Sequence, residues 1–306
     1  MPIIEQDLWR KQYFEGIDCP DDVFIPTDDE YAYRLFPEHR WVYNKLLICE
    51  TQGLEHAPHG IAPRSFPVFS KPVYNLRGMG VGSHIIASRD EYERLQQPGH
   101  LWMPLLHGEH VSSDVALLDG EPVWWRHVVG RALEHGMFDY WTVLAEPRSD
   151  IEAVCGDWLR HHLRGYTGCV NLEMIGGTII EVHLRFADQW PDLYGSGWLQ
   201  SVVGLYAHRV WKFPDSRRRT GYSVVLFGKP GSLFPQFDRY RISALLAQAG
   251  ISSVQITFDA EWPARSHAMP PGGPRLAVVN CWDLVAGLAG REYLAELMEL
   301  SAEACP

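Results

Sequence analysis

No stretch of about 18 apolar residues occurs in the sequence, which excludes a membrane-spanning helix. The first residues, Met1-Pro-Ile-Ile-Glu-Gln-Asp7, have neither the basic nor the apolar segment of a secretory signal. Cysteine is scarce: six in all (Cys19, Cys49, Cys155, Cys169, Cys281, Cys305), none in C-x-x-C spacing. That argues against a zinc ribbon and a disulfide scaffold, so a reducing, cytoplasmic setting is expected. Positive charge is also short, with 27 Lys and Arg against 38 Asp and Glu for a net −11. Nucleic acid and anionic membrane both need a positive field, so neither is an expected partner. The one basic run, Arg217-Arg218-Arg219, sits in a polar connector and reads as a solvated linker. There is no H-E-x-x-H and no internal repeat. A metallohydrolase built on His107, His110 or the pair His161-His162 has little support, because 14 histidines produce such pairs by chance.

What is present is a globular composition, 46% hydrophobic and 21% charged over 306 residues, enough for two or three lobes. Its most informative stretch is 165–185, which reads as a β-hairpin. Residues 170–174 and 178–184 are β-branched and apolar, and Gly176-Gly177 breaks the run. Side chains alternate along a strand, so Asn171 and Glu173 share a face of the first arm. Glu181, His183 and Arg185 share one of the second. A loop with an odd residue count puts all five on one face; a two-residue turn sets Glu173 and Glu181 on opposite faces. Paired carboxylates resist joint ionisation unless a cation lies between them, and hard oxygen ligands favour Mg²⁺. By spacing alone, the solvated face of an amphipathic sheet explains the pattern equally well.

Residues 1 to about 36 are polar and turn-rich, an extended arm with at most one short helix. A helix is expected between Pro37 and Gly53, and Lys45 within it reads as an ordinary surface lysine. Lys71 lies in a strand at 68–73 among apolar residues, where a half-buried ammonium needs an anionic partner. Pro72 confines that strand to an edge or marks its end. The loop Asn75-Leu-Arg-Gly-Met-Gly-Val-Gly-Ser83 follows, its three glycines letting backbone N–H groups approach an anion closely. It lacks the G-x-x-x-x-G-K-[ST] spacing of a P-loop. Ser88-Arg-Asp-Glu91 is a capping box opening a helix. Pro104 argues against a central strand at 101–106. A strand–turn–strand unit around Asp119-Gly120, helices at 151–163 and 198–211, and a strand–helix alternation from 223 onward complete the chain.

In this order the parts resemble the ATP-grasp superfamily of carboxylate ligases. The resemblance rests on Lys45, on Lys71-Pro72 before a glycine loop, and on Gly108, Glu109 and Asp114 in G-x-E-x-x-x-x-D spacing. N-x-E and E-x-H-x-R then follow across the hairpin, and the match covers about residues 38–212. The fold implied is α+β: a two-lobed arrangement of antiparallel sheets with helices and a small C-terminal α/β unit. The expected division is an arm at 1–37, a nucleotide-binding domain at 38–212 and the C-terminal unit at 213–306. The resemblance implies an ATP-dependent ligase that activates a small-molecule carboxylate as an acyl phosphate and transfers it to an amine. It would form a C–N bond, with C–S as the lesser alternative. Lys45 and Lys71 would hold phosphates, and Gly78, Gly80, Gly82 and Ser83 would close over them. Backbone at Met103 and Leu105 would meet adenine and Glu109 the ribose. Glu173, Glu181 and His183 would hold Mg²⁺, and Arg185 would steady the transferring phosphoryl group.

The departures from the family pattern also carry expectations. Asn44 replaces the usual Asp before the first lysine, and Trp102 stands near the usual hinge acid. Leu184 stands where Pro is common and His183 where Asn is usual. Imidazole is softer than Mg²⁺ prefers, so Mn²⁺ tolerance is expected. About 40 residues precede Lys45, too few for the α/β lobe such ligases carry there, and the C-terminal unit is expected to substitute for it. The alternative is a degenerate domain kept as a nucleotide-binding or scaffolding module. Expected partners are small-molecule carboxylate and amine substrates, with a homodimer left open.

Overall fold

The computed structural model describes residues 3–4, 9–76, 78, 80–229, 239–258 and 272–303. The N-terminal arm holds β1 (Ile3–Ile4), a 3₁₀ turn (Arg10–Phe14), β2 (Ile25–Pro26) and α1 (Asp29–Leu35). A second 3₁₀ turn (Arg40–Tyr43) leads to α2 (Lys45–Glu50). Next come β3 (Ala57–Pro58), β4 (Val68–Pro72), β5 (His84–Ile86), α3 (Arg89–Leu95) and β6 (His100–Pro104). The middle of the chain gives β7 (His110–Leu118), β8 (Glu121–Ala132), β9 (Phe138–Val143), α4 (Ser149–His162), β10 (Gly168–Ile175), β11 (Thr178–His183) and α5 (Trp198–His208). It closes with β12 (Gly221–Phe227), α6 (Arg239–Leu246), β13 (Ile251–Ile256), β14 (Arg275–Cys281) and α7 (Leu284–Glu303).

Two antiparallel sheets organise these elements. The larger has eight strands in the order β11-β10-β7-β8-β9-β12-β14-β13, and the smaller four in the order β3-β6-β4-β5. On one face of the large sheet, α4 buries Ile151, Cys155, Trp158 and Leu159 against Val115, Val170, Leu172 and Val182. Alternation sends Ala116, Trp124 and Val128 to the other face, where they pack on Phe186 and on Trp198, Val202 and Leu205 of α5. The described strands from 213 onward all join the large sheet. Strand β12 pairs with β9, and β14 and β13 extend the same sheet, with α6 and α7 packed on them.

Some local expectations change against the structure. The arm is not extended over the surface, since Arg10, Phe14, Ile25 and Asp29 are all buried. Strand β6 is internal despite Pro104, because the proline is its last residue and β3 pairs only at Leu101 and Trp102. The basic run is docked: Arg218 pairs with Asp215 at 2.7 Å and Arg219 lies 4.5 Å over the Trp282 ring. Arg77 and Met79 of the glycine loop, and Cys305, lie outside the described residues.

The hairpin resolves the open question of register. Its turn is the two-residue Gly176-Gly177, at φ 56° and 84°, which alone would set the two glutamates on opposite faces. Pairing runs Ile175 with Thr178 and Met174 with Ile179, then shifts so that Glu173 faces Glu181. Ile180 is the extra residue of a β-bulge, a device that re-aims side chains beside functional sites. One added residue returns both carboxylates to the same face.

Candidate active site

The site is assembled from four segments. From the hairpin come Glu173, Glu181 and His183, with Asn171 opposite His183 in register and Arg185 just beyond the strand end. From the small sheet comes Lys71, whose Nζ donates to the Ile180 carbonyl at 2.9 Å. The bulge therefore also supplies the acceptor that aims this lysine, and burial pushes its pKa down against the pull of Glu181. From α2 comes Lys45, its Nζ 3.5 Å from Glu181 Oε1. Lys45 is 5% exposed and so not the surface residue its helix suggested. Asn44 accepts from the Leu46 N–H at 3.1 Å, so this departure from the family pattern serves as the helix N-cap.

The fourth segment is the N-terminal arm, through Asp29. Its carboxylate lies 3.1 Å from His183 Nδ1 by either oxygen and accepts from Arg185 Nη2 at 3.0 Å and Tyr43 O–H at 3.2 Å. Burial raises its pKa, but Arg185 and His183 outweigh burial and hold it below the usual carboxylate range. Glu173 lies 3.4 Å from His110 Nε2. Burial pushes it up, while that hydrogen bond, with His183 and Arg185, brings the net shift downward. The sequence reading missed Asp29, Tyr43 and His110 as members of this cluster. Only the run Thr27-Asp28-Asp29-Glu30 hinted at Asp29, and it reads as a helix start. Asp28 is indeed the cap, accepting from Tyr31 N–H at 2.9 Å.

Other expected residues stand apart from this core. Gly78, Gly80 and Gly82 all have positive φ (69°, 61°, 78°), so the loop before Ser83 is one only glycines adopt cheaply. Met103 is buried with Leu101, Cys49, Phe69 and Ile180 in an apolar patch beside Lys71, and Leu105 is half-buried. Glu109 is exposed and bound to Arg148 at 2.7 Å. Its carbonyl accepts from Gly176 N–H at 3.1 Å, which ties this segment to the hairpin turn. Arg126, His127 and Arg131, all on β8, do not serve the cluster. Arg126 is buried against Asp215 at 2.8 Å, His127 lies between Ser113 and Glu152, and Arg131 is exposed.

His183 supplies the test for a divalent cation. Its Nε2 is solvent-inaccessible and has no hydrogen-bond partner, and it lies 3.6 Å from Glu181 Oε2 and 3.8 Å from Glu173 Oε1. Two ligands on one Mg²⁺ or Mn²⁺ stand roughly 3 Å apart, from bonds near 2.1 Å. No trio of His, Cys, Asp or Glu among the described residues stands close enough to share a metal ion. The glutamates are the adjustable parts, with side chains 31% and 18% exposed, while His183 at 4% is pinned. In chemistry the set of two carboxylates and one imidazole suits a divalent ion, while in spacing it stands wider than such an ion requires.

Asp114, the acid of the G-x-E-x-x-x-x-D unit, is fully paired. It accepts from Asn171 Nδ2 at 2.7 Å, Tyr194 O–H at 2.7 Å and the Ala187 N–H at 3.0 Å. Burial nevertheless raises its pKa from 3.8 to about 6, overcoming those bonds. An acid whose pKa rises on folding favours the folded state below its unfolded value and loses that advantage as pH climbs through the folded one. From this group, unfolding free energy should fall by about 3 kcal/mol in all as pH rises from about 3 to about 7, about 2 of it between pH 4 and pH 6, and then level off. Urea titrations of native protein and Asp114→Asn across that range read it as their difference. A pH-independent difference would refute it.

No protein-family model matches the chain, and no curated protein matches it by sequence. Solved structures do match in fold. L-amino acid ligase from Bacillus licheniformis aligns with TM-score 0.63 at 14% identity, over 94% of this chain and 82% of that one. Carboxyaminoimidazole ribonucleotide synthase from Aspergillus clavatus, complexed with ATP, gives 0.59 at 12%, over 85% and 74%. Phosphoribosylamine–glycine ligase from Thermotoga maritima gives 0.57 at 15%, over 94% and 85%.

Proposed function

We infer that this chain, which has the ATP-grasp fold of those ligases, is an ATP-dependent carboxylate–amine ligase. The observation that carries the reading is the convergence of Lys45, Lys71, Glu173, Glu181 and Arg185 on one face. Two buried ammonium groups beside two carboxylates suit a polyphosphate accompanied by a divalent ion. Lys45 and Lys71 would hold the phosphate oxygens, and Gly78 to Ser83 would cover them. The patch at Met103 and Leu105 would take adenine. Glu109 would leave Arg148 for the ribose.

Glu173, Glu181 and His183 would hold Mg²⁺ or Mn²⁺, which supplies charge neutralisation on the phosphates. Arg185 binds the transferring phosphoryl oxygens as the substrate carboxylate attacks the γ-phosphorus and the bond to ADP breaks. An amine then attacks the acyl carbon, phosphate leaves, and the amine's proton passes to solvent. The C-terminal segment contributes the acceptor side in this reading. Arg275 Nη1 reaches Gln189 Oε1 and Asn280 Nδ2 reaches the Gln189 carbonyl, both at 2.8 Å, four residues beyond Arg185.

Thermal unfolding with and without Mg·ATP tests the reading. Ligand at about 100 times its dissociation constant adds roughly 2.7 kcal/mol, several degrees in Tm for a chain of this size. The shift is expected in native protein and absent in Lys71→Ala. No shift in native protein, with Mg²⁺ or with Mn²⁺, refutes a nucleotide site. A nucleotide shift with no carboxylate-dependent ADP release would favour the scaffolding alternative.

A further inference from the structure

Strand β8 outruns its neighbour. β9 pairs with it only from Val128 to Ala132, so before residue 128 that edge of β8 meets no strand among the described residues. Two connecting segments take the place of one. Leu144 N–H donates to the His127 carbonyl at 2.9 Å, and Arg218 Nη2 donates to the Trp125 carbonyl at 3.3 Å. They leave a cavity of about 460 Å³ along the edge, within the range of small-molecule sites. None of the residues lining it belongs to the cluster around the hairpin.

The cavity has aromatic walls, and its polar groups are fixed from behind. Trp124 and Trp125 are successive strand residues, so they flank the free edge from opposite faces, and Phe213 packs on the first with ring centres 6.3 Å apart. Asp215 stands at φ 45°, a left-handed backbone, and its carboxylate accepts from Trp124 Nε1 at 2.7 Å, Arg126 Nη2 at 2.8 Å and Arg218 Nη2 at 2.7 Å. Arg218 uses only Nη2 in these bonds; among the described residues Nη1 and Nε are left as donors. Glu152 Oε1 lies 3.2 Å from His127 Nε2, and the buried ring is held on its other side by Ser113 Oγ at 2.8 Å. Glu152 Oε2 is left as an acceptor. The cavity therefore offers one guanidinium and one carboxylate, their side chains 27% and 28% exposed. The Arg218 charge also reaches the imidazole that Glu152 binds, so the two ends are close. A simple carboxylate would meet Glu152 as a like charge, and a simple amine would meet Arg218 as one. A ligand carrying both charges on an apolar body matches the pair and the rings together.

We propose that this cavity is a second ligand site, for a free amino acid with an aromatic or large apolar side chain. Its carboxylate lies on Arg218, its ammonium on Glu152, and its side chain among Trp124, Trp125 and Phe213. The site does not depend on the ligase reading, and its test uses neither nucleotide nor metal.

L-Phenylalanine is titrated calorimetrically into native protein, beside phenylalaninamide, which lacks the carboxylate, and 3-phenylpropionate, which lacks the ammonium. Phenylalanine is expected to bind with a submillimolar dissociation constant, and more tightly than either analogue by about tenfold, the worth of one charged hydrogen bond. Arg218→Gln should erase the advantage over phenylalaninamide and keep that over 3-phenylpropionate. Glu152→Gln should do the reverse. No binding of phenylalanine to native protein at about 5 mM, or equal affinity for all three compounds, overturns the proposal whether or not either variant folds. Both advantages retained in folded Arg218→Gln and Glu152→Gln would place the amino acid elsewhere, the substrate side of the hairpin included, and overturn it as well.

Discussion

Replacing Asp29 by alanine is expected to lower unfolding free energy by about 3–5 kcal/mol, because removing one partner of a buried ion pair strands the other. The partners are Arg185, with its side chain 15% exposed, and His183 at 4%. Tyr43 O–H loses its acceptor in the same step. Urea unfolding at pH 7 reads the loss directly. Asp29→Asn retains an oxygen acceptor and should cost less than the alanine. The pH dependence separates an ion pair from simple packing. The Asp29 carboxyl titrates lower in the folded chain than its ordinary 3.8, so its contribution is complete above that value and disappears as pH falls below it. The gap between native protein and Asp29→Ala should therefore narrow below about pH 4. A loss under about 1 kcal/mol, unchanged with pH, would mean that the arm is held by its apolar contacts at Phe14 and Ile25.

The hairpin, Lys71 and the positive-φ glycines of the loop were legible because each is written locally. Gly176-Gly177 demands positive φ, the flanking β-branched residues demand strands, and a lysine among apolar strand residues demands an anion. The bulge at Ile180 was not legible, since Thr178-Ile-Ile-Glu181 carries no glycine or proline to mark it. Its cause is tertiary: Lys71, more than 100 positions away, takes the Ile180 carbonyl. Asp29 was hidden for a related reason. A carboxylate in the first turn of a helix is ordinary sequence, and nothing local distinguishes the one that caps from the one that turns inward to meet residues 154 and 156 positions later. Lys45 looked exposed because a short helical stripe records periodicity and not what covers it. The small sheet closes over α2, with Lys45 N–H donating to the Val73 carbonyl at 3.1 Å.

On the ligase reading, Arg185→Ala is expected to lower turnover by about 10²- to 10³-fold while leaving the Mg·ATP-induced thermal shift in place. The magnitude is that of removing one fixed donor aimed at charge that develops only in the transition state. The geometry supports both halves. Nη2 is occupied by Asp29 at 3.0 Å and Nη1 makes a long 3.4 Å contact with the Phe186 carbonyl, which leaves three of five N–H donors for a phosphoryl group. Asp29 fixes the plane of the guanidinium, so the donors are set before substrate arrives. Lys45 and Lys71, by contrast, meet Glu181 and the bulge, away from Asp29. Ground-state nucleotide affinity should therefore follow the lysines and turnover the arginine. Arg185→Lys keeps the charge without the planar fork and should fall between native protein and alanine. Carboxylate-dependent ADP release and nucleotide-dependent melting on the same three proteins separate these effects. Turnover undiminished in Arg185→Ala would leave Arg185 a structural partner of Asp29 and move phosphoryl stabilisation to the lysines.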